Sequence, residues 1–316
     1  MERRNLGASS LEVSPICFGG NVFGWTVNEA ESFRLLDAFL DAGFNFVDTA
    51  DVYSRWADGN DGGESEIILG RWLKSRGGRE KIVLASKFGM EMGDNKVGLS
   101  PEYMLKAIDA SLRRLQTDYI DLYQSHKDDE TTPVTATLEG YAKLIEQGKV
   151  REIGASNFTA TRLKESLDAS TDEGLPRYQS LQPLYSLVER TEYEGELENL
   201  CAKENVGVIS YFSLASGFLT GKYRSDLDIE NRTRGPHVQK YMNEDGFRVV
   251  KALQEVSEKH GAKPGQTALA WLLARPSVTA PIASATNLDQ LKELVSAAEL
   301  RLDAEDTTKI DRASAP

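Results

Sequence analysis

The run IVLASKFGMEMGDNKVGLSPEYMLKAIDASLRRLQTDYIDLYQSH, residues 82–126, holds one complete strand–helix–strand unit. IVLAS (82–86) and IDLYQ (120–124) are short, apolar and partly β-branched, as strands are. Between them the apolar residues of SPEYMLKAIDASLRRL recur at helical spacing, which predicts a helix over 101–116. Ser100 is placed to cap it and Pro101 occupies its first position. Lys87 directly follows the first strand, and His126 lies just past the second.

Outward from this unit the same alternation repeats. Further strands are expected at 16–19, 44–47, 150–155, 180–182, 206–210 and 278–282, making eight. Further helices are expected at 29–42, 64–76, 134–147, 159–170, 191–204, 264–274 and 287–298. Gly43 and Gly148 stand where the first and fourth helices should stop. Eight alternating units in 316 residues match an α/β fold of the (β/α)8 TIM-barrel type, which needs about 250 residues. An open doubly wound sheet is the alternative. It would carry GxGxxG after its first strand, whereas ICFGGNVFG (16–24) spaces its glycines differently, and no P-loop is present. No composition break divides the chain, so one domain over 1–316 is expected. RRNLGASSLEVS (3–14) predicts an N-terminal β-hairpin that closes the bottom of the barrel. GKYRSDLDIENRTRGPHVQKYMNEDG (221–246) predicts a long polar loop after the seventh barrel strand, and long loops in compact domains tend to carry function.

Composition narrows the function. Hydrophobic residues make up 40% and charged residues 27%, as in a globular protein. No apolar run approaches the ~18 residues of a membrane span. The N-terminus is charged and lacks the apolar centre of a secretory signal. A net charge of −12 argues against a nucleic-acid surface. A cytoplasmic protein with neither a nucleic-acid nor a membrane partner is expected. Cys17 and Cys201 lie in apolar contexts and read as buried free thiols. No Cys/His spacing supports a metal site. Nothing in the sequence sets the oligomeric state.

In a (β/α)8 barrel the C-terminal strand ends build the active site. Asp48, Lys87 and His126 stand at or just past strand ends, and Tyr53 lies in the loop after Asp48. Ser156, Asn157, Gln182, Tyr211 and Ser284 occupy the same edge on later strands. An acid, a phenol, an amine and an imidazole at one rim form a proton-transfer group. Tyr53 would act as general acid and Lys87 would lower its pKa. Asp48 would anchor Lys87, and His126 would orient the reacting oxygen. This suits protonation of an oxygen becoming an alkoxide, as in a carbonyl that receives a hydride from a cofactor. Each residue also has an ordinary reading: Asp48 as a turn cap, Tyr53 as a loop aromatic, Lys87 as a solvated charge, Ser156 and Asn157 as a helix cap. Their coincidence at one edge is what carries the functional reading. Trp25 and Trp56, in the loops after the first two strands, would wall a substrate pocket.

FVDTADVYS, GGESEIILGRWL, VLASKFG, IDLYQSHKDD, IGASNF, LQPLYS and SYFSLASGFLTGKY follow one another along the chain. In that order and spacing the sequence resembles the aldo-keto reductases over nearly its whole length. The resemblance implies a barrel that binds NADP(H) across its C-terminal rim. It implies a catalytic tetrad of Asp48, Tyr53, Lys87 and His126, and nicotinamide carboxamide contacts at Ser156, Asn157 and Gln182. It implies a stacking ring at Tyr211, pyrophosphate contacts at Ser213, Leu214, Gly217 and Lys222, and adenosine contacts at Ser284, Thr286 and Gln290. Where many members hold a basic residue against the 2′-phosphate, this chain has Thr286. Lys222, Arg224, Arg232 or Arg234 would have to supply that charge, so NADPH is expected with NAD(H) use open. The implied substrate is a small carbonyl compound or alcohol. Two other roles are weighed: a cofactor-binding regulatory subunit of the kind that serves potassium channels, and a Schiff-base lyase using Lys87.

Overall fold

The computed structural model describes residues 2–94, 96–230 and 233–316. Strands β1 (Arg4–Asn5) and β2 (Glu12–Val13) pair antiparallel as the expected N-terminal hairpin. The barrel strands follow as β3 (Cys17–Gly19), β4 (Phe46–Asp48), β5 (Val83–Phe88), β6 (Ile120–Ser125), β7 (Val150–Ser156), β8 (Tyr178–Gln182), β9 (Gly207–Val208) and β10 (Ile282–Ala283). Helices α1 (Glu29–Asp41), α2 (Glu64–Arg76), α3 (Pro101–Leu115), α4 (Val134–Glu146), α5 (Ala160–Glu173) and α6 (Glu196–Lys203) alternate with the first seven of them. Between β9 and β10 come α7 (Gly235–Val238), α8 (Glu244–His260) and α9 (Pro264–Leu273), and α10 (Leu288–Ala297) and α11 (Ala304–Ala313) follow β10.

All eight barrel strands run parallel, in the order β10-β3-β4-β5-β6-β7-β8-β9. The ring closes where the segment before β10 returns to β9. Val208 bridges Val278, Thr279 N donates to Val208 O at 2.8 Å, and Ile282 N donates to Ser210 O at 2.8 Å. β10 is short partly because Pro281, inside the expected strand 278–282, has no N–H to give. This is the expected α/β barrel.

Local sequence explains the helices that frame it. Ser100 Oγ accepts from Tyr103 N at 3.3 Å, Pro101 opens α3, and Met104, Ala107, Ile108, Ser111 and Leu115 form its buried face. Asn28, Thr159 and Asn287 cap α1, α5 and α10 in the same way. The region 221–246 carries more structure than its polar composition suggests. It holds a single turn at Asp226–Asp228, the short α7 and a further turn at Gln239–Tyr241, and its last three residues already belong to α8. Three helices, the short α7 and the longer α8 and α11, were not expected from the sequence.

The barrel interior has two layers. Cys17, Phe46, Val83, Ala85, Leu122, Ile209 and Ala280 form an apolar layer, and Leu6, Leu11 and Val13 of the hairpin pack into it from below. The hairpin therefore plugs the N-terminal mouth. Strand side chains alternate, so the residues two positions further on enter the next layer up: Asp48 after Phe46, Lys87 after Ala85, Gln124 after Leu122 and Tyr211 after Ile209. That layer is polar. The opposite strand faces, with Val47, Leu84, Tyr123, Leu181 and Val208, pack against the helices in the main core. Cys17 and Cys201 are free and buried. Among the described residues no helix is long and apolar enough to cross a membrane, and no group of His, Cys, Asp and Glu could hold a metal ion.

Candidate active site

Asp48 is the hub of the upper layer. Its carboxylate is fully buried, with Lys87 Nζ at 2.6 Å from Oδ2 and Tyr53 OH donating to the same oxygen at 3.2 Å. Its Oδ1 accepts from Gln182 Nε2 at 3.0 Å and Gln124 Nε2 at 3.2 Å. Lys87 is equally buried, and its ammonium also donates to Thr49 O at 2.8 Å. A buried ion pair holds only when its remaining hydrogen-bonding capacity is met, and these amides and the carbonyl meet it. Burial pulls the Lys87 ammonium below its usual value, and Asp48 opposes the shift.

The Tyr53 phenol is pushed well up, first by burial and then by the Asp48 charge and hydrogen bond. Lys87 Nζ lies over the Tyr53 ring, 4.6 Å from its centroid. In this geometry the phenol therefore stays protonated, and the expected lowering by Lys87 is outweighed. His126 sits edge-on to Tyr53, with ring centroids 5.9 Å apart. Burial, and secondarily the Lys87 charge, lower its pKa well below the ordinary imidazole value. Its Nδ1 is buried without a partner among the described residues. Asp48, Tyr53, Lys87 and His126 are thus brought together.

The rim continues from His126. Asn157, at a left-handed φ of 57°, donates from Nδ2 to His126 O at 2.9 Å and accepts from Tyr211 OH at 2.7 Å. Ser156 Oγ donates to Gln182 O at 2.9 Å. Ser156, Asn157, Gln182 and Tyr211 form one hydrogen-bonded arc connected to Asp48 through Gln182. The segment after Tyr211 is bent sharply, with left-handed φ at Phe212, Ala215, Ser216 and Gly217. Ser213 Oγ donates to Ser210 O at 3.0 Å, and Leu214 leads into this bend. A Cβ at Gly217 would lie 3.1 Å from Lys222 Nζ, so glycine makes room for an ammonium on this bend. A basic group lodged against a glycine turn suits a pyrophosphate.

Just past β10, Ser284 Oγ lies 2.8 Å from Gly19 O and 2.7 Å from Asn21 Oδ1. Thr286 donates from N and Oγ1 to Gln290 Oε1, at 2.9 and 3.1 Å. Its hydroxyl is therefore engaged within its own turn. Of the basic candidates for a 2′-phosphate, Arg224 is exposed, Arg234 lies over Trp25, and Arg232 lies outside the described residues. Trp25 and Trp56 meet edge to face at 5.6 Å, and Trp56 meets Tyr53 at 5.9 Å. Trp56 thus touches both Trp25 and the Tyr53 ring.

Three participants were not singled out from the sequence. Gln124 and the Thr49 carbonyl complete the Asp48–Lys87 pair, and Asn21 contacts Ser284. Gln124 was legible in principle: it stands two residues after an inward leucine and two before His126. Asn21 and a carbonyl oxygen carry no such pattern.

A family model described as Aldo/keto reductase family matches residues 15–315. The chain is 35% identical over 318 residues to YrpG, an uncharacterised oxidoreductase of Bacillus subtilis (strain 168), covering 96% of this chain and 93% of that protein. It is 32% identical over 308 residues to a probable voltage-gated potassium channel subunit beta of Oryza sativa subsp. japonica, covering 95% and 92%. It is 30% identical over 293 residues to the aldo-keto reductase yakc of Schizosaccharomyces pombe, whose name carries NADP(+), covering 90% and 83%.

Proposed function

The chain belongs to the aldo/keto reductase family, and from that premise we propose that it reduces an aldehyde or ketone to an alcohol, reversibly, with NADP(H) and with Tyr53 as proton donor. It is an enzyme of that family and an oxidoreductase. The observation that carries the finer reading is the shared oxygen: Tyr53 OH and Lys87 Nζ both rest on Asp48 Oδ2, at 3.2 and 2.6 Å, beside His126, whose Nδ1 has no partner among the described residues.

NADPH, when bound, supplies the hydride that the carbonyl carbon receives. Ser156, Asn157, Gln182 and Tyr211 would hold its nicotinamide end, and Ser213, Leu214, Gly217 and Lys222 its pyrophosphate. Ser284, Thr286 and Gln290 would hold its adenosine end. The Gly217–Lys222 arrangement supports the pyrophosphate assignment, and the name of the fission yeast relative supports NADP(+). NAD(H) use stays within the proposal because Thr286 brings no charge.

Tyr53 holds a proton at neutral pH and releases it to the carbonyl oxygen as that oxygen gains electron density. The phenolate left behind faces the Lys87 ammonium, which Asp48 keeps charged. His126, held neutral by burial, orients the same oxygen by hydrogen bonding. Trp25 and Trp56 wall the substrate. The whole chain serves as one catalytic domain, working in the cytoplasm. Replacing Tyr53 by Phe should lower kcat by about 10²–10⁴-fold and leave NADPH binding, measured by fluorescence titration, within about twofold. A Tyr53→Phe enzyme with undiminished turnover would refute the donor role.

The likeness to the rice channel subunit favours one second reading, a cofactor-binding regulatory subunit. The assembled tetrad argues for turnover instead. Co-purification with a membrane partner, combined with no NADPH oxidation on any aldehyde of a broad panel, would favour the regulatory role. A Schiff-base lyase is disfavoured because Asp48 holds Lys87 as an ammonium; borohydride trapping of a carbonyl compound on Lys87 would reinstate it.

A further inference from the structure

Arg234 stands between β9 and α8, immediately before α7. Its guanidinium lies over the Trp25 ring, with Cζ 5.6 Å from the centroid. Its Nη2 is buried and has no acceptor among the described residues. Burial also pulls this guanidinium below its usual value. A buried cationic donor without an acceptor is unfavourable. The chain has 49 acidic side chains, and none of the described ones is set against this nitrogen. An acceptor from outside the chain is the natural complement.

The direction it would come from is given by the aromatics. From Arg234 the contacts run to Trp25, then to Trp56 at 5.6 Å, then to Tyr53 at 5.9 Å. Trp56 is 49% exposed, so this wall is open on one side. One end of the wall is a proton donor and the other an unsatisfied cation.

We propose that the substrate is a carbonyl compound carrying a carboxylate at the end remote from its carbonyl. Its apolar body lies along Trp56 and Trp25, and Arg234 takes the carboxylate. This rests on the reading that Tyr53 protonates the carbonyl oxygen. A carboxylate is favoured over a phosphate on charge. One guanidinium edge offers the parallel N–H pair that a carboxylate accepts. A phosphate dianion calls for more cations, and among the described residues Arg234 is the one cation on these two indole faces.

The test compares 4-carboxybenzaldehyde with methyl 4-formylbenzoate, which keeps the ring and the aldehyde but not the charge. The wild-type enzyme should prefer the acid by at least about tenfold in kcat/KM. Arg234→Gln should raise KM for the acid by about 10- to 100-fold, with the ester within about twofold and NADPH affinity unchanged. Arg234→Lys should keep part of the preference. Calorimetric binding of 4-(hydroxymethyl)benzoate and its methyl ester, with NADP+ present, reads the same contact without turnover. There the acid should bind more tightly, and Arg234→Gln should abolish the difference.

If neither aldehyde is turned over, the reductase reading fails, and the calorimetric difference still decides whether Arg234 receives a carboxylate. Equal binding of acid and ester by the wild type overturns the inference. So does an equal loss on both in Arg234→Gln, which marks a role in folding, or a weakened NADPH affinity, which marks a role at the cofactor.

Discussion

At the scale of single residues, the site is an exercise in satisfying one buried pair. Asp48 and Lys87 are both fully buried, and each leans on the other. Breaking such a pair from one side leaves an uncompensated charge and costs about 3–5 kcal/mol. Lys87→Met should show this loss in urea denaturation, and the double variant Asp48→Asn, Lys87→Met should be more stable than the two single losses added together. Simple additivity would mean that the two groups are not coupled. His126 allows a check by pH. Its folded pKa lies well below its unfolded value of about 6.5, so the unfolded chain binds the extra proton. Its contribution to stability is present above about pH 6.5 and is lost as pH falls below it. Between pH 7 and pH 5, His126→Gln should therefore lose less stability than the wild type; identical slopes would show that the imidazole is not held neutral. The four polar rim residues were legible from the sequence because each follows a recognisable strand. Gln124 was passed over because it looked like strand filler, although the two-residue alternation that brings Lys87 inward brings Gln124 inward too.

At the scale of elements, the strand–helix alternation was readable because the units carry local punctuation: capping side chains at α1, α3, α5 and α10, apolar stripes, and a glycine just past α2 and α5. The same cues exist for α8. Asn243 accepts from Gly246 N at 2.9 Å, and Val249, Val250, Leu253 and Val256 form a buried stripe. The polar stretch before them masks these cues, because its composition reads as loop through residue 246. α11 lies beyond the eighth unit, where the repeat offers no further expectation, yet Asp303 and Asp306 form a full capping box at its start. Asn243→Ala removes the α8 cap and should lower stability by about 1 kcal/mol, seen as an earlier urea midpoint at an unchanged slope. A neutral result would mean that packing of α8 alone fixes where it begins.

At the scale of the whole molecule, the barrel has one mouth sealed by the hairpin and one lined by the polar layer. Leu6 is fully buried in the plug, within the lower apolar layer. Leu6→Ala should cost about 2–5 kcal/mol, while kcat/KM at 25 °C stays within about twofold, because the polar layer sits above. A loss of activity at full occupancy of the folded state would show that the two layers are mechanically linked. The closing seam has a consequence for how the protein is made. β3 pairs with β10, so Cys17 waits for its partner Ile282, which is made much later in translation. Until then a nascent chain that has reached β9 presents two open sheet edges, the hazard that promotes edge-to-edge association. Asp48, Lys87 and Gln182 all precede that point in translation, but the ring that gathers them does not. A message truncated after β9 would thus yield a chain with Asp48, Tyr53, Lys87 and His126 all present and no completed barrel, one that calls for a chaperone before it calls for a substrate.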